Sequence, residues 1–253
     1  MTSVTQPMPA STSTSTSATP RQPVPHFRFA PAPSILPAPL IQPWPLRTLA
    51  SAESGHHVLP DGRHCYWIRH QVLKGVTPAM LAWWFAHLEG SVEIAGQSVD
   101  RYRAWHPRDH VAARYAWLRA DGTVGPGAAI RLTEHLGRNP NYKVDIVTRI
   151  EKLDVEGFVH LPRPAGILGW FARNAVRMEY SFKPVPEGTL YENCLIFGVP
   201  GRAGRWFTRL LAPLVFPVAQ GKAWLLHNIE EVGNFERFLP ALYARETGAG
   251  DSR

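Results

Sequence analysis

In Trp224-Leu225-Leu226-His227-Asn228-Ile229-Glu230-Glu231, His227 and Glu231 stand four residues apart. On a helix that spacing sets an imidazole and a carboxylate on one face at neighbouring turns, and Glu230 points elsewhere. Two such groups can ligate one metal ion. The same spacing also serves an exposed ion pair or a hydrogen bond on a helix surface. Leu225, Leu226 and Phe235 flank the pair and mark a substantially buried helix, where a charged glutamate needs a partner such as a cation. A second cluster, Trp105-His106-Pro107-Arg108-Asp109-His110, sets two imidazoles around a turn-favouring proline after an expected strand. Neutral imidazole is the commonest metal ligand, although loop histidines are also ordinary polar surface. A third carboxylate, Glu134, closes Ala129-Ile130-Arg131-Leu132-Thr133-Glu134. Period two puts it on the face of Ile130 and Leu132, unless the strand stops at Thr133 and the side chain turns into solvent.

These side chains are distant in sequence, so the fold must gather them. Folded chain is expected from near Gly62, where Arg63 to Lys74 forms a strand-like run. Thr77-Pro78 then reads as a cap with proline at the first helical position, and Met80, Leu81, Trp84, Phe85 and Leu88 follow at helical spacing up to Gly90. From Ser91 to about Gly198 the pattern changes to short runs broken by Gly, Pro and Asn. Strands are expected over 92–95, 129–134, 144–153, 175–183 and 189–199, with a hairpin at Pro186-Glu187-Gly188. A long C-terminal helix is expected from Gly221 to about Glu246, with Pro240 as a kink point. Strands followed by a long helix describe an α+β fold, a curved antiparallel sheet with the helix across it. Residues 1–55 read as a disordered Pro/Ser/Thr-rich tail, since eleven of the 24 prolines fall within residues 1–50. Residues 56–253 then form the folded domain, with 62–90 as a candidate small N-terminal subdomain.

The Trp-rich helix Met80-Leu81-Ala82-Trp83-Trp84-Phe85, the segment Tyr102-x-x-Trp105-His106-Pro107-x-Asp109-His110 and the ending His227-x-x-x-Glu231 together resemble the 2,4-diacetylphloroglucinol hydrolase family, which includes phloretin hydrolases. The resemblance covers residues 60–245. It implies a helix-grip, START-like domain in which two histidines and two glutamates hold zinc, and the matching positions are His110, Glu134, His227 and Glu231. The interval from His110 to Glu134 is short for the pattern, which leaves His135 and His106 as alternatives to Glu134. Such a nitrogen and oxygen set suits Zn2+, and iron, manganese or cobalt would also fit. The implied reaction hydrolyses the carbon-carbon bond between an acyl group and a phenolic ring, so the implied partner is a small aromatic ketone or acylated phenol. The resemblance also implies that Tyr102, eight residues before the first ligand, contacts substrate. An asparagine expected shortly after that ligand is Ala113 here, which puts the ring-hydroxyl pattern in question. Tyr180 and His160 are further candidates for contacting or protonating the ring; their ordinary readings are a core aromatic and a loop histidine.

Composition narrows the rest. Hydrophobic residues at 45% and nine tryptophans are enough for a filled core or an aromatic-lined pocket. The net charge of +7 is scattered, without the basic run and interleaved aromatics of a nucleic-acid stripe. The two cysteines, Cys65 and Cys194, form neither a disulfide framework nor a zinc spacing. With no secretory signal and no apolar stretch of membrane-spanning length, a cytoplasmic protein is expected, although the Ser/Thr-rich, acid-free start also resembles a transit peptide. A homodimer is allowed. Two other readings stand beside the hydrolase: a metal-free helix-grip protein that binds or carries an aromatic or lipid ligand, and Arg205 to Leu226 as a membrane-surface element instead of a lid or core helix, with no stable anchor.

Overall fold

The computed structural model describes residues 36–163 and 175–249. Within them the chain builds strands β1 (Ala52–Val58), β2 (His64–His70), β3 (Leu73–Lys74), β4 (Ser91–Ile94), β5 (Gln97–Asp100), β6 (His110–Trp117), β7 (Ala129–His135), β8 (Lys143–Asp154), β9 (Gly157–Arg163), β10 (Val176–Val185) and β11 (Gly188–Phe197). Helices α1 (Pro78–Ala86), α2 (Arg101–Trp105), α3 (Arg202–Val215) and α4 (Val218–Thr247) complete the fold. The main sheet runs in the order β1-β2-β11-β10-β9-β8-β7-β6, with β3 beside β11, and every pairing in it is antiparallel. Strands β4 and β5 form a separate ribbon.

The long helix α4 packs against β2, β3, α1 and α2. Its buried face carries Trp224, Leu225, Ile229, Val232, Phe235, Phe238, Leu239 and Leu242. Phe235 stacks on Trp105 and meets Trp84 edge-on, so α1, α2 and α4 share one aromatic core. Gly221 lets α4 approach the sheet, because a Cβ there would fall 2.2 Å from Cε1 of Tyr66 on β2. The fold is thus the expected α+β helix-grip arrangement: an antiparallel sheet gripping one long C-terminal helix.

The expected elements over 92–95, 129–134, 144–153, 175–183 and 189–199 appear as β4, β7, β8, β10 and β11. The hairpin closes as expected, with Val185 opposite Gly188. Thr77 caps α1, its hydroxyl accepting from the Met80 amide at 3.3 Å. Other expectations need correction. Ordered chain starts before Gly62: β1 pairs along β2, Trp44 donates to Asn234 at 3.0 Å and Arg47 meets Glu236 at 3.0 Å. Residues 36–55 therefore lie on the domain, while residues 1–35 are outside the described residues. Both β2 and α1, from the 62–90 stretch, belong to the main sheet and core. Trp105 ends the short helix α2 and His106 caps it, so no strand directly precedes them, and His160 lies within β9, not a loop.

Candidate metal centre

Helix α2 starts at its cap Asp100, whose carboxylate accepts from the Arg103 amide at 3.1 Å, and ends at His106. The chain then turns through Pro107, Arg108 and Asp109. His106 Nδ1 accepts from the Asp109 amide at 3.2 Å, which leaves Nε2 as the donor to Glu230 at 3.1 Å. The turn delivers His110 to the first position of β6, directly across from Glu134 on β7. Helix α4 brings His227 and Glu231 to the same point from the other side.

The four side chains converge. His110 Nε2 lies 3.3 Å from His227 Nε2, 3.2 Å from a Glu231 oxygen and 3.5 Å from a Glu134 oxygen. His227 Nε2 lies 3.6 Å from each of the same two carboxylate oxygens. Ligands about 2.0–2.1 Å from a tetrahedral zinc are separated by roughly 3.3–3.4 Å along each edge. Five of the six edges therefore have about the length that such a site requires.

Hydrogen bonds at the far ring nitrogens aim both imidazoles. His110 Nδ1 donates to the Tyr102 carbonyl at 2.7 Å, and His227 Nδ1 donates to Asp109 at 3.0 Å. Each ring then presents an Nε2 lone pair to the centre, the arrangement in which a carboxylate or carbonyl behind a histidine fixes its tautomer. Asp109 is held in turn by the amides of Gly137 at 2.7 Å and Arg138 at 3.1 Å. The Tyr102 ring lies parallel to His110 at 3.7 Å between centroids, and its hydroxyl donates to Glu134 at 2.8 Å. His106 stacks on His227 at 4.4 Å.

Without a cation these groups are poorly matched. Burial raises Glu231, and the nearby carboxylates Glu134 and Asp109 raise it further. Burial would lower His227, but Glu134, Asp109 and Glu231 together hold it up at about 9. His110 is pushed well down by burial and by the imidazoles of His227 and His106. Although burial opposes it, Asp109 is held at about 2 by its hydrogen bond and attraction to His227. Two imidazole nitrogens and two carboxylates facing one buried point are the donor chemistry of a divalent transition metal, which would displace the His227 proton, so the residues fit such an ion.

Among the described residues, His110, His227 and Glu231 form one metal-capable group, and His106, Asp109 and His227 form another. The second is a supporting layer, because His106 and Asp109 spend their side-chain atoms on Glu230, His227 and backbone amides. A Glu134 oxygen lies 3.5 Å from His110 Nε2 and 3.6 Å from His227 Nε2, although Glu134 is in neither group. Asp109 and Glu230 were missed as supporting residues. The adjacency Asp109-His110 held a signal for the first, since a carboxylate is a common partner for a ligating histidine.

Glu134, His227 and Glu231 line a cavity of about 310 Å³ between the sheet and α4. Tyr102, His160 and Tyr180 line it too. His160 Nδ1 is 2.6 Å from the Thr148 hydroxyl, and its Nε2 is 3.4 Å from the Tyr180 hydroxyl. Burial lowers His160 to about 3 and raises Tyr180, so both are neutral at neutral pH. Apolar walls come from Ile146, Val176, Leu195, Phe197, Phe216 and Trp224, with Gln220 and Asn228 as further polar groups. Ala113 is fully buried and absent from the lining.

The structure is similar to the crystal structure of Ara h 8.0201 at 13% identity, over 69% of this chain and 99% of that chain, with a TM-score of 0.42. It is also similar to protein Ms6760 from Mycobacterium smegmatis at 14% identity, over 77% of this chain and 98% of that chain, again with a TM-score of 0.42. Likenesses this distant leave the fold description to rest on the sheet and helix themselves. No curated protein matches the chain. Residues 45–141 match the model of the DAPG hydrolase PhiG domain, a span that includes Tyr102, Asp109, His110 and Glu134, while His227 and Glu231 lie beyond it. Over those residues the chain is similar to the DAPG hydrolase family.

Proposed function

We propose that this protein is a metal-dependent hydrolase that cleaves the carbon-carbon bond between an acyl group and a phenolic ring. The observation that carries the reading is the meeting of two Nε2 atoms and two carboxylates at 3.2–3.6 Å beside the cavity. The family match supports the reaction class. Bound zinc would polarise an acyl carbonyl and let water act as a nucleophile near neutral pH. His110, Glu134, His227 and Glu231 would hold the ion, with Asp109 and the Tyr102 carbonyl fixing the two rings.

The reaction adds water oxygen to the acyl carbon. Protonating the ring carbon first gives the keto tautomer, so that the electron pair of the broken bond passes to the ring carbonyl oxygen and the phenolate that leaves takes up the proton the water gives up. Tyr180, kept protonated by burial and lining the cavity beside the neutral His160, is a neutral donor for the ring-carbon proton. The Tyr102 hydroxyl donates to Glu134 and keeps its lone pairs free to accept from a substrate hydroxyl. The apolar walls exclude bulk water and strengthen each of these polar contacts. The test is a panel of acylated phenols incubated with zinc-replete protein, scored for release of the free carboxylic acid. Cleavage of at least one member is expected. Stoichiometric binding of the same compounds without acid release would instead favour the metal-free carrier.

A further inference from the structure

Helix α3 is attached to the domain through a narrow face. Gly204 and Thr208 are buried, and Thr208 Oγ1 accepts from the Val199 amide at 2.9 Å. On the opposite side Trp206, Leu210 and Leu214 recur every fourth residue, exposed by 68%, 51% and 79%. Val218, at the start of α4, extends the stripe at 49% exposed. Single exposed apolar residues are ordinary, but a continuous helical row containing tryptophan is not.

Charge indicates what the row meets. Exposed Arg205 and Arg209 run alongside it one position earlier, and neither forms an ion pair among the described residues. Residues 193–229 include Arg202, Arg205, Arg209 and Lys222 and contain no acidic residue. An apolar stripe with tryptophan, flanked by arginines whose stems can lie along it, is the pattern of a helix seated in the plane of an anionic membrane surface. A protein partner of ordinary mixed charge would call for acids on this face as well. The place is also suggestive of use: Phe216, between α3 and α4, lines both the main cavity and the shallow groove formed by Arg205, Arg209 and Pro213. Among the described residues no helix is long and apolar enough to cross a membrane.

We propose that the exposed face of α3 docks reversibly on an anionic lipid bilayer. The test is flotation of the full chain with vesicles of phosphatidylcholine and phosphatidylglycerol, beside phosphatidylcholine alone, with light scattering to follow oligomeric state. Wild type should float with the mixed vesicles, and its partitioning should fall by about tenfold or more on phosphatidylcholine alone or in about 0.5 M salt. Trp206→Ser with Leu214→Ser, and separately Arg205→Glu with Arg209→Glu, should each abolish flotation. Circular dichroism and metal content should stay at wild-type levels, which separates this idea from the catalytic one. The proposal is overturned if wild type stays behind at low salt, or if both double variants float as wild type does. It is also overturned if wild type is a dimer that Trp206→Ser with Leu214→Ser converts to a monomer, because a second copy would then cover the row.

Discussion

Asp109 stands outside the proposed ligand set, yet three groups depend on it: His227 and the amides of Gly137 and Arg138. Asp109→Asn would turn an amide N–H toward one of these donors and weaken the fixing of the His227 tautomer. The expected result is a metal affinity lower by about 10- to 100-fold, together with a stability loss of about 1–3 kcal/mol. Competition with a chromophoric chelator and urea unfolding read the two effects. Tyr102→Phe should behave differently, because it keeps the carbonyl that holds His110 and removes only the donor to Glu134. At saturating zinc it should retain metal while turnover on a cleavable ketone falls by about tenfold to a thousandfold. Turnover equal to wild type would remove Tyr102 from the chemistry. The spacing of His227 and Glu231 was legible because one helix carries both. The role of Glu230 was not legible, since its partner His106 lies on another element and the contact exists only once α4 has docked.

Helix α4 positions half of the proposed ligand set, and its distance from the sheet is set at Gly221. Gly221→Ala would favour the isolated helix by about 1 kcal/mol, but its Cβ would enter the Tyr66 ring. Overpacking of this kind costs about 1–3 kcal/mol, so a net loss of stability and a lower metal affinity are expected. Thermal unfolding with and without zinc checks both; a stabilised variant with unchanged metal affinity would show that α4 does not depend on this close approach. The sequence showed the long strands and α4 through periodicity, and it showed α1 through its cap. It concealed β6 and β9, whose runs include His110, Arg114, His160 and Pro162 where an apolar alternation was sought. His110 belongs to the side-chain cluster with His227, and His160 and Pro162 line the cavity, so the residues that make the site also blur the pattern that would reveal the strand. The start of the domain was hidden for a related reason: the proline-rich segment before β1 is held by contacts such as Trp44 to Asn234 and Arg47 to Glu236, which local composition cannot reveal.

Across the whole molecule, buried neutral histidines tie stability to pH. His70 and His160 are each lowered to about 3, chiefly by burial, against an ordinary value of 6.5. The unfolded chain therefore binds more protons than the folded one between about pH 6.5 and 3, so stability is lost as pH falls through that window, by at most about 1.4 kcal/mol per unit for each histidine. Urea unfolding across the window should show a shallower slope for His70→Gln than for wild type; parallel slopes would mean that His70 becomes protonated without unfolding. All of these expectations surround one claim, that α4 and the α2–β7 region close on a single metal ion. Elemental analysis of protein expressed with added zinc and freed of loose metal by gel filtration tests it most directly. About one equivalent of zinc per chain is expected in wild type and less than about a tenth of that in folded His227→Ala. Metal-free wild type, or equal metal content in the two proteins, would contradict it.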